Sequence, residues 1–295
     1  MKRSIVIVGS GGRLGAALFR EWRAWGEQVI GFDRAQLDLT DDRAIHARLD
    51  PLEFDVLVNC AAQTNLDRCE REPDEAFRVN SAAVATIAEI CTRKRARCVH
   101  ISTDYVFDGM KDTPYVEEDE PRPISHYGES KWSGEKCLLA VSGRHLAVRV
   151  SWVFGPDRAS FLDQIIQRAM TQDRVEAIAD KVSVPTYTLD AANLLRPLLD
   201  RPEIGGVLHL CNAGQCTWQQ YGQHALDCAA AAGLPLRTQR VEPVKLGEMA
   251  AFVARRPVYT PLATDRLTRL TAITPRSWRE AVEEYVRAYC KPRFC

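Results

Sequence analysis

The first half of the chain alternates short apolar runs with stretches in which apolar residues recur every three or four positions. Ser4 to Val8 is almost wholly apolar, as expected of a strand covered on both faces. Leu14, Ala17, Leu18, Trp22 and Trp25 follow at helical spacing, which predicts an amphipathic helix. The same reading gives strands over Gln28 to Phe32, Asp55 to Asn59, Arg97 to Ser102 and His145 to Trp152. It gives helices over Glu75 to Lys94 and Ser125 to Val141. Strands alternating with helices imply a parallel, doubly wound sheet with right-handed crossovers.

Beyond about Ser151 the beat loosens. Helical spacing returns at Phe161 to Thr171, Leu189 to Leu199, Trp218 to Ala232 and Ser277 to Tyr289. Short strand-like runs stand at Val175 to Ile178 and Val207 to Leu210. Prolines, among them Pro185, Pro197, Pro202 and Pro235, mark a more irregular region, because each lacks a backbone donor. The expected class is α/β, with a Rossmann-type, NAD(P)-binding domain over residues 1–150. Residues 151–295 are expected to form mainly a smaller, substrate-binding lobe over the sheet's C-terminal edge, where ligands bind in such sheets. Segments near 186–212 are expected to return to the first domain.

The turn after the first strand reads Gly9-Ser10-Gly11-Gly12-Arg13-Leu14-Gly15. Glycines at 9, 12 and 15 allow a tight turn, a close approach to a pyrophosphate and close packing of helix on strand. Asp33 ends the second strand and is followed by Arg34. An acid there suits the adenosine ribose hydroxyls and repels a 2′-phosphate, whereas an arginine accommodates that phosphate. The balance favours NAD slightly over NADP. Asp38 and Leu39 fall where the adenine should lie, although an acid before a helix is also a common cap.

Tyr127 and Lys131 are four apart and share a face if their segment is helical. A tyrosine with an ordinary pKa relays protons poorly at neutral pH, and a nearby ammonium favours its phenolate. That pairing suits acid–base catalysis. It gains weight from the glycine turn and from hydroxyls at Ser102 and Thr103, where a strand ends.

Charge narrows the field. Lys plus Arg equals Asp plus Glu, at 39 each, so nothing favours a nucleic acid or an anionic membrane as partner. The basic run from Arg93 to Arg97 is expected at a helix C-terminus, where cations suit the dipole. The ten cysteines show no C-x-x-C spacing and lie mostly in apolar runs, as buried free thiols do. Cys290 and Cys295 are expected to be the most exposed. No apolar run approaches the length of a membrane span, and a cytoplasmic location is expected.

Longer stretches now carry a resemblance. Ile101-Ser102-Thr103-Asp104-Tyr105-Val106-Phe107-Asp108-Gly109 and Tyr127-Gly128-x-Ser130-Lys131-x-x-Gly134-Glu135 resemble the extended short-chain dehydrogenases that act on nucleotide sugars. More narrowly they resemble the dTDP-4-dehydrorhamnose reductase family. Supporting stretches are Asn59 to Thr64, Phe77 to Asn80, Arg149 to Gly155 and Val184 to Thr186. The resemblance implies NAD(P)H-dependent reduction of a nucleotide-linked 4-keto-6-deoxy sugar, with a dTDP-linked substrate. It implies that Thr103 hydrogen-bonds the carbonyl, Tyr127 donates the proton and Lys131 holds the nicotinamide ribose. Asn80 would support the lysine. Gly11, Arg13, Leu14, Cys60, Ala61, Ala62 and Thr64 would join the cofactor site. Asp104, Tyr105, Trp152 and Arg256 would join the substrate site, Arg256 at the diphosphate.

Some positions depart from the pattern. Lys181 and Ser183 stand where the family tends to carry Gln and Gly, beside the substrate. Ala17 replaces an acid that some members link to metal-dependent pairing, so no metal is expected. A homodimer is compatible with this reading. Two alternatives share the scaffold. One is an epimerase or dehydratase with retained NAD, although Tyr105 stands where such dehydratases carry an acid. The other is a non-catalytic sugar-nucleotide-binding subunit, although Tyr127 and Lys131 are both present.

Overall fold

The computed structural model describes residues 3–294. The N-terminal part runs β1 (Ser4–Val8), α1 (Arg13–Ala24), β2 (Gln28–Phe32), α2 (Asp42–Leu49) and β3 (Val56–Asn59). Two short helices follow, α3 (Leu66–Arg71) and α4 (Pro73–Phe77), then α5 (Ala83–Arg93), β4 (Arg97–Thr103), α6 (His126–Val141) and β5 (Leu146–Val150). The remainder holds β6 (Val153–Phe154), α7 (Phe161–Thr171), β7 (Val175–Ile178), β8 (Val182–Ser183), β9 (Thr186–Tyr187) and α8 (Thr188–Leu199). After these come β10 (Gly206–His209), β11 (Cys216–Thr217), α9 (Trp218–Ala231), β12 (Val241–Val244), α10 (Asp265–Thr271), α11 (Trp278–Tyr285) and α12 (Lys291–Phe294).

Six strands form one parallel sheet in the order β10-β5-β4-β3-β1-β2. Every residue of β3 and β5 is buried, as strands covered on both faces must be. One face packs Ile5, Ile7, Val58 and Val148 with Leu18 and Trp22 of α1 and Leu195 and Leu198 of α8. The other packs Val6, Val8 and Leu57 with Ile87 and Cys91 of α5 and Leu138 of α6. A separate aromatic-rich core joins α7, α9 and α11 through Ile165, Tyr221, Leu226 and Tyr285. The segment 188–209 thus leaves the second core, adding α8 to one face of the sheet and β10 to its edge.

Three local expectations change. The helix expected from Glu75 to Lys94 is two α-helices joined by a π-helical turn, Arg78–Ala82. The wider turn carries Asn80 and presses on α6, where a Cβ at Gly134 would lie 2.1 Å from the Asn80 carbonyl oxygen. Arg97 does not cap the helix before it. It lies in β4, buried, and its guanidinium donates to the carbonyls of Leu198 and Ile204. The dipole argument therefore applies to the C-terminus of α8, a partner about a hundred residues away in the chain. Cys290 is fully buried in the second core, because a π turn at Val286–Cys290 rolls it inward. Cys295 lies outside the described residues.

Candidate active site

The glycine turn forms one wall of a cleft of about 720 Å³ at the C-terminal ends of β1, β2 and β3. Gly9 has φ of 83°, and a Cβ on it would lie 2.6 Å from the Ala61 nitrogen. A Cβ on Gly15 would lie 2.2 Å from the Gly9 carbonyl oxygen. Only glycine meets both conditions, so the start of α1 can sit directly against the strand end. No side chain caps the N-terminus of α1, and Gly11, Gly12, Arg13 and Leu14 border the cleft. Backbone donors at an uncapped helix start favour an anion, so the cradle fits a dinucleotide's pyrophosphate.

Asp33, Arg34, Asp38 and Leu39 line the same cleft, as do Cys60, Ala61, Ala62 and Thr64. The Asp33 carboxylate accepts from the backbone of Ala35 at 2.9 Å and Gln36 at 3.0 Å. Arg34 is largely exposed and lies 3.5 Å from Glu75. Arg13 borders the cleft, but its guanidinium is committed elsewhere. It donates to the carbonyls of Val153, Arg158 and Ala159 and so ties α1 to the loop before α7.

A second cleft, of about 350 Å³, adjoins the first. Thr103, Asp104, Tyr105 and Trp152 line it, together with Phe161, Trp218 and Tyr221. Lys131 lines only the larger cleft, Thr103 only the smaller, and Tyr127 lines both. The Tyr105 ring meets the Tyr127 ring edge-on, with centroids 5.7 Å apart. Ser125 caps α6 by accepting from the Gly128 N–H at 3.3 Å, which sets Tyr127 in the first helical turn and Lys131 in the next.

The electrostatics of this pair differ from expectation. Burial pushes the Tyr127 phenol well above its ordinary pKa; Asp104 and Cys69 act in the same direction, and a hydrogen bond with Thr103 acts against them. Burial also pulls the Lys131 ammonium down to about 8, with Glu135 and Cys60 opposing. The expected acidification of the phenol by the lysine is therefore not what this structure shows. Lys131 Nζ instead lies 2.6 Å from the Ile101 carbonyl oxygen and 3.0 Å from His100 Nε2.

Two expected site residues stand back from the clefts. Asn80 is buried and spends its amide on the Gln63 backbone and on Ser130 Oγ at 3.0 Å. It braces the loop after β3 against α6. Arg256 stacks on Phe252, 3.5 Å from the ring centroid, and pairs with Asp67 at 3.4 Å. Neither lines either cleft.

Other residues around the smaller cleft form a buried polar network, and of these only Thr260 stood outside the stretches singled out in the sequence. Asp104 accepts from Thr260 at 2.6 Å, Ser183 at 3.1 Å and Thr103 at 3.2 Å. Lys181 is fully buried, bonded to the Pro257 carbonyl and 4.8 Å from the Tyr105 ring centroid. Glu135 and Arg149 form a buried ion pair at 2.7 Å, with Ser102 donating to the same carboxylate. Trp152 has φ of 40°, a costly conformation for a bulky residue. Its indole N–H and the Tyr221 hydroxyl are buried without a protein partner. Both residues line the smaller cleft, where a polar ligand would satisfy them.

The chain is similar to known proteins along most of its length. The family model described as RmlD substrate binding domain matches residues 1–290. The chain is 35% identical over 290 residues to a dTDP-4-dehydrorhamnose reductase of Mycolicibacterium smegmatis, covering 98% of this chain and 86% of that protein. It is 32% identical to the spore coat polysaccharide biosynthesis protein SpsK of Bacillus subtilis, covering 96% of each. A crystal structure of dTDP-4-dehydrorhamnose reductase from Bacillus anthracis in complex with NADP superposes with a TM-score of 0.90 at 28% identity, covering 97% of this chain and 99% of that one.

Proposed function

The chain belongs to the RmlD substrate-binding-domain family, and on that premise we propose that it is a cytoplasmic, NAD(P)H-dependent reductase of a nucleotide-linked 4-keto-6-deoxy sugar, dTDP-4-dehydrorhamnose being the expected substrate. The observation that carries this reading is the position of Tyr127 where the two clefts meet. A phenol there can reach a substrate in one cleft while a nicotinamide occupies the other.

Bound NAD(P)H supplies the hydride. The protein's part is positioning and proton transfer. Tyr127 gives its proton to the alkoxide oxygen formed at the sugar carbonyl carbon. Thr103 turns its hydroxyl from Asp104 to that oxygen and stabilises the developing charge. Lys131 holds the nicotinamide ribose beside Tyr127. The indole of Trp152 and the hydroxyl of Tyr221 offer donors to the polar groups of the sugar nucleotide. Residues 1–150 carry the cofactor and the later lobe carries the sugar. The Asp33 carboxylate favours NAD, with NADP accepted beside Arg34.

The test is oxidation of NADH and of NADPH by the purified protein, offered nucleotide-linked 4-keto-6-deoxy sugars one at a time. Consumption of reduced cofactor in step with sugar is expected, with NADH the better donor. A protein that retains NAD and converts a sugar nucleotide with none added would overturn the reading in favour of an epimerase or dehydratase.

A further inference from the structure

Arg13, Arg34, Lys131 and Arg158 are the cationic side chains that line the larger cleft. The first three are already engaged. Arg13 donates to main-chain carbonyls, Arg34 faces Glu75 at 3.5 Å, and Lys131 is held between His100 and the Ile101 carbonyl oxygen. The Arg158 side chain is exposed, and its guanidinium has no ion-pair or hydrogen-bond partner among the described residues. It comes from the turn between β6 and α7, and that turn is pinned from several sides. Arg13 holds the carbonyls of Arg158 and Ala159, Arg20 pairs with Asp157, and Arg293 donates to the Pro156 carbonyl at 3.0 Å. The backbone that carries Arg158 is thus fixed, while its side chain is left unpaired at the cleft.

The guanidinium lies at one end of the glycine turn. A Cβ built on Gly11 would lie 3.1 Å from Asp33 Cβ and 3.8 Å from Arg158 Nη2. The missing side chain therefore leaves a gap with Asp33 on one side and the guanidinium on the other. Asp33, at the end of β2, stands where an acid suits the ribose hydroxyls. A phosphate on the 2′ oxygen would bring about two negative charges into that gap, and Asp33 alone repels them. Arg34 is poorly placed to offset them, because Glu75 and Asp38 already act on it. Arg158 faces the gap without a counter-ion, and its neighbour Arg13 adds a second positive charge. A guanidinium also offers paired donors that match a phosphate.

We propose that Arg158 is the residue that admits NADP: its guanidinium receives the 2′-phosphate across the gap left by Gly11, while Asp33 serves the ribose hydroxyls of NAD. This rests on the NAD(P)H dependence proposed above and adds the side chain that decides between the two dinucleotides. The determinant lies far along the chain from the end of β2, where an acid or an arginine ordinarily makes that choice. Because Arg158 is exposed, its contribution is a screened one and falls as salt is added.

Calorimetric titration with NADPH and with NADH tests this without any turnover. Arg158→Ala is expected to weaken NADPH binding by about tenfold and to leave NADH binding nearly unchanged. Arg158→Lys keeps the charge but not the fork, and should recover part of the loss. Arg34→Ala should weaken NADPH less than Arg158→Ala does. Equal losses of NADPH and NADH in Arg158→Ala would put the guanidinium on the pyrophosphate and overturn the proposal. So would an unchanged NADPH affinity, or a larger loss from Arg34→Ala. If the unmodified protein binds neither dinucleotide, the proposed cofactor dependence fails and this assignment fails with it. If Arg158→Ala loses NADPH selectively while no keto sugar is reduced, the role of Arg158 stands and the proposed reaction fails.

Discussion

The larger cleft starts from a glycine turn whose backbone lies against neighbouring backbone, the smaller from packed aromatic side chains, and the two were assembled under different physical rules. At the glycine turn, the absence of a Cβ at Gly9 and Gly15 lets one segment of backbone lie on another, and the resulting donors suit an anion. In the smaller cleft, Trp152 follows β5, Phe161 opens α7, and Trp218 and Tyr221 share the first turns of α9. They meet only because the second core packs α7, α9 and α11 together. A site made of backbone tolerates little change in local sequence. A site made of packed aromatics can change its ligand by exchanging side chains, as Lys181 and Ser183 suggest beneath Tyr105 and Asp104.

The strongest way to test this division is at the residue both clefts share. Tyr127→Phe should lower turnover by about 10²–10⁴-fold while cofactor affinity, read by fluorescence titration, stays near that of the unmodified protein. Near-normal turnover would remove Tyr127 from the chemistry. Next in size is the pH dependence of stability carried by Lys131. Its folded pKa of about 8 lies below its ordinary 10.5, so the native state disfavours the proton. The penalty is full below pH 8, shrinks between pH 8 and 10.5, and vanishes above. Unmodified protein should therefore gain on Lys131→Met as pH rises through that window, by on the order of 3 kcal/mol in urea unfolding. Parallel curves for the two proteins would contradict the burial of that charge.

Gly9→Ala probes the larger cleft through its glycine turn. The positive φ and the contact with Ala61 should cost about 1–3 kcal/mol of stability and weaken cofactor binding, both measurable by denaturant titration and calorimetry. An unchanged cofactor affinity would separate the turn from the cleft. Trp152→Ala probes the other side. Loss of its contacts with Trp218 and Tyr221, worth about 0.5–1.5 kcal/mol, should raise KM for the sugar nucleotide several-fold and leave KM for the reduced cofactor unchanged. A rise in the cofactor KM instead would show that the clefts are not independent.

Much of the first cleft is legible in the amino-acid sequence, because its determinants are local. Strand, glycine turn and helix occupy some twenty consecutive residues, and the spacing of Tyr127 and Lys131 is one helical turn. Asp104 and Tyr105 are marked by the motif around Thr103, and Ser183 and Lys181 by their departure from the family pattern, yet nothing in the sequence pairs them with one another or marks Thr260. Those partners lie on segments far along the chain, and no periodicity connects them. Asn80 and Arg256 stand back from the clefts for reasons the sequence does not carry. Their residue types suit a ligand, but a π turn gives one to the Gln63 loop and an ion pair with Asp67 holds the other.

What the sequence determined by itself is whatever backbone sterics and helical period enforce within a few residues: the alternating elements, the cradle and the shared face of tyrosine and lysine. The tertiary structure decided which buried charge meets which partner. Arg97 caps α8, Cys290 turns into the second core, and Lys131 meets His100 rather than acidifying Tyr127. Each of these depends on desolvation and on contacts between distant segments, and both exist only once the chain has closed on itself.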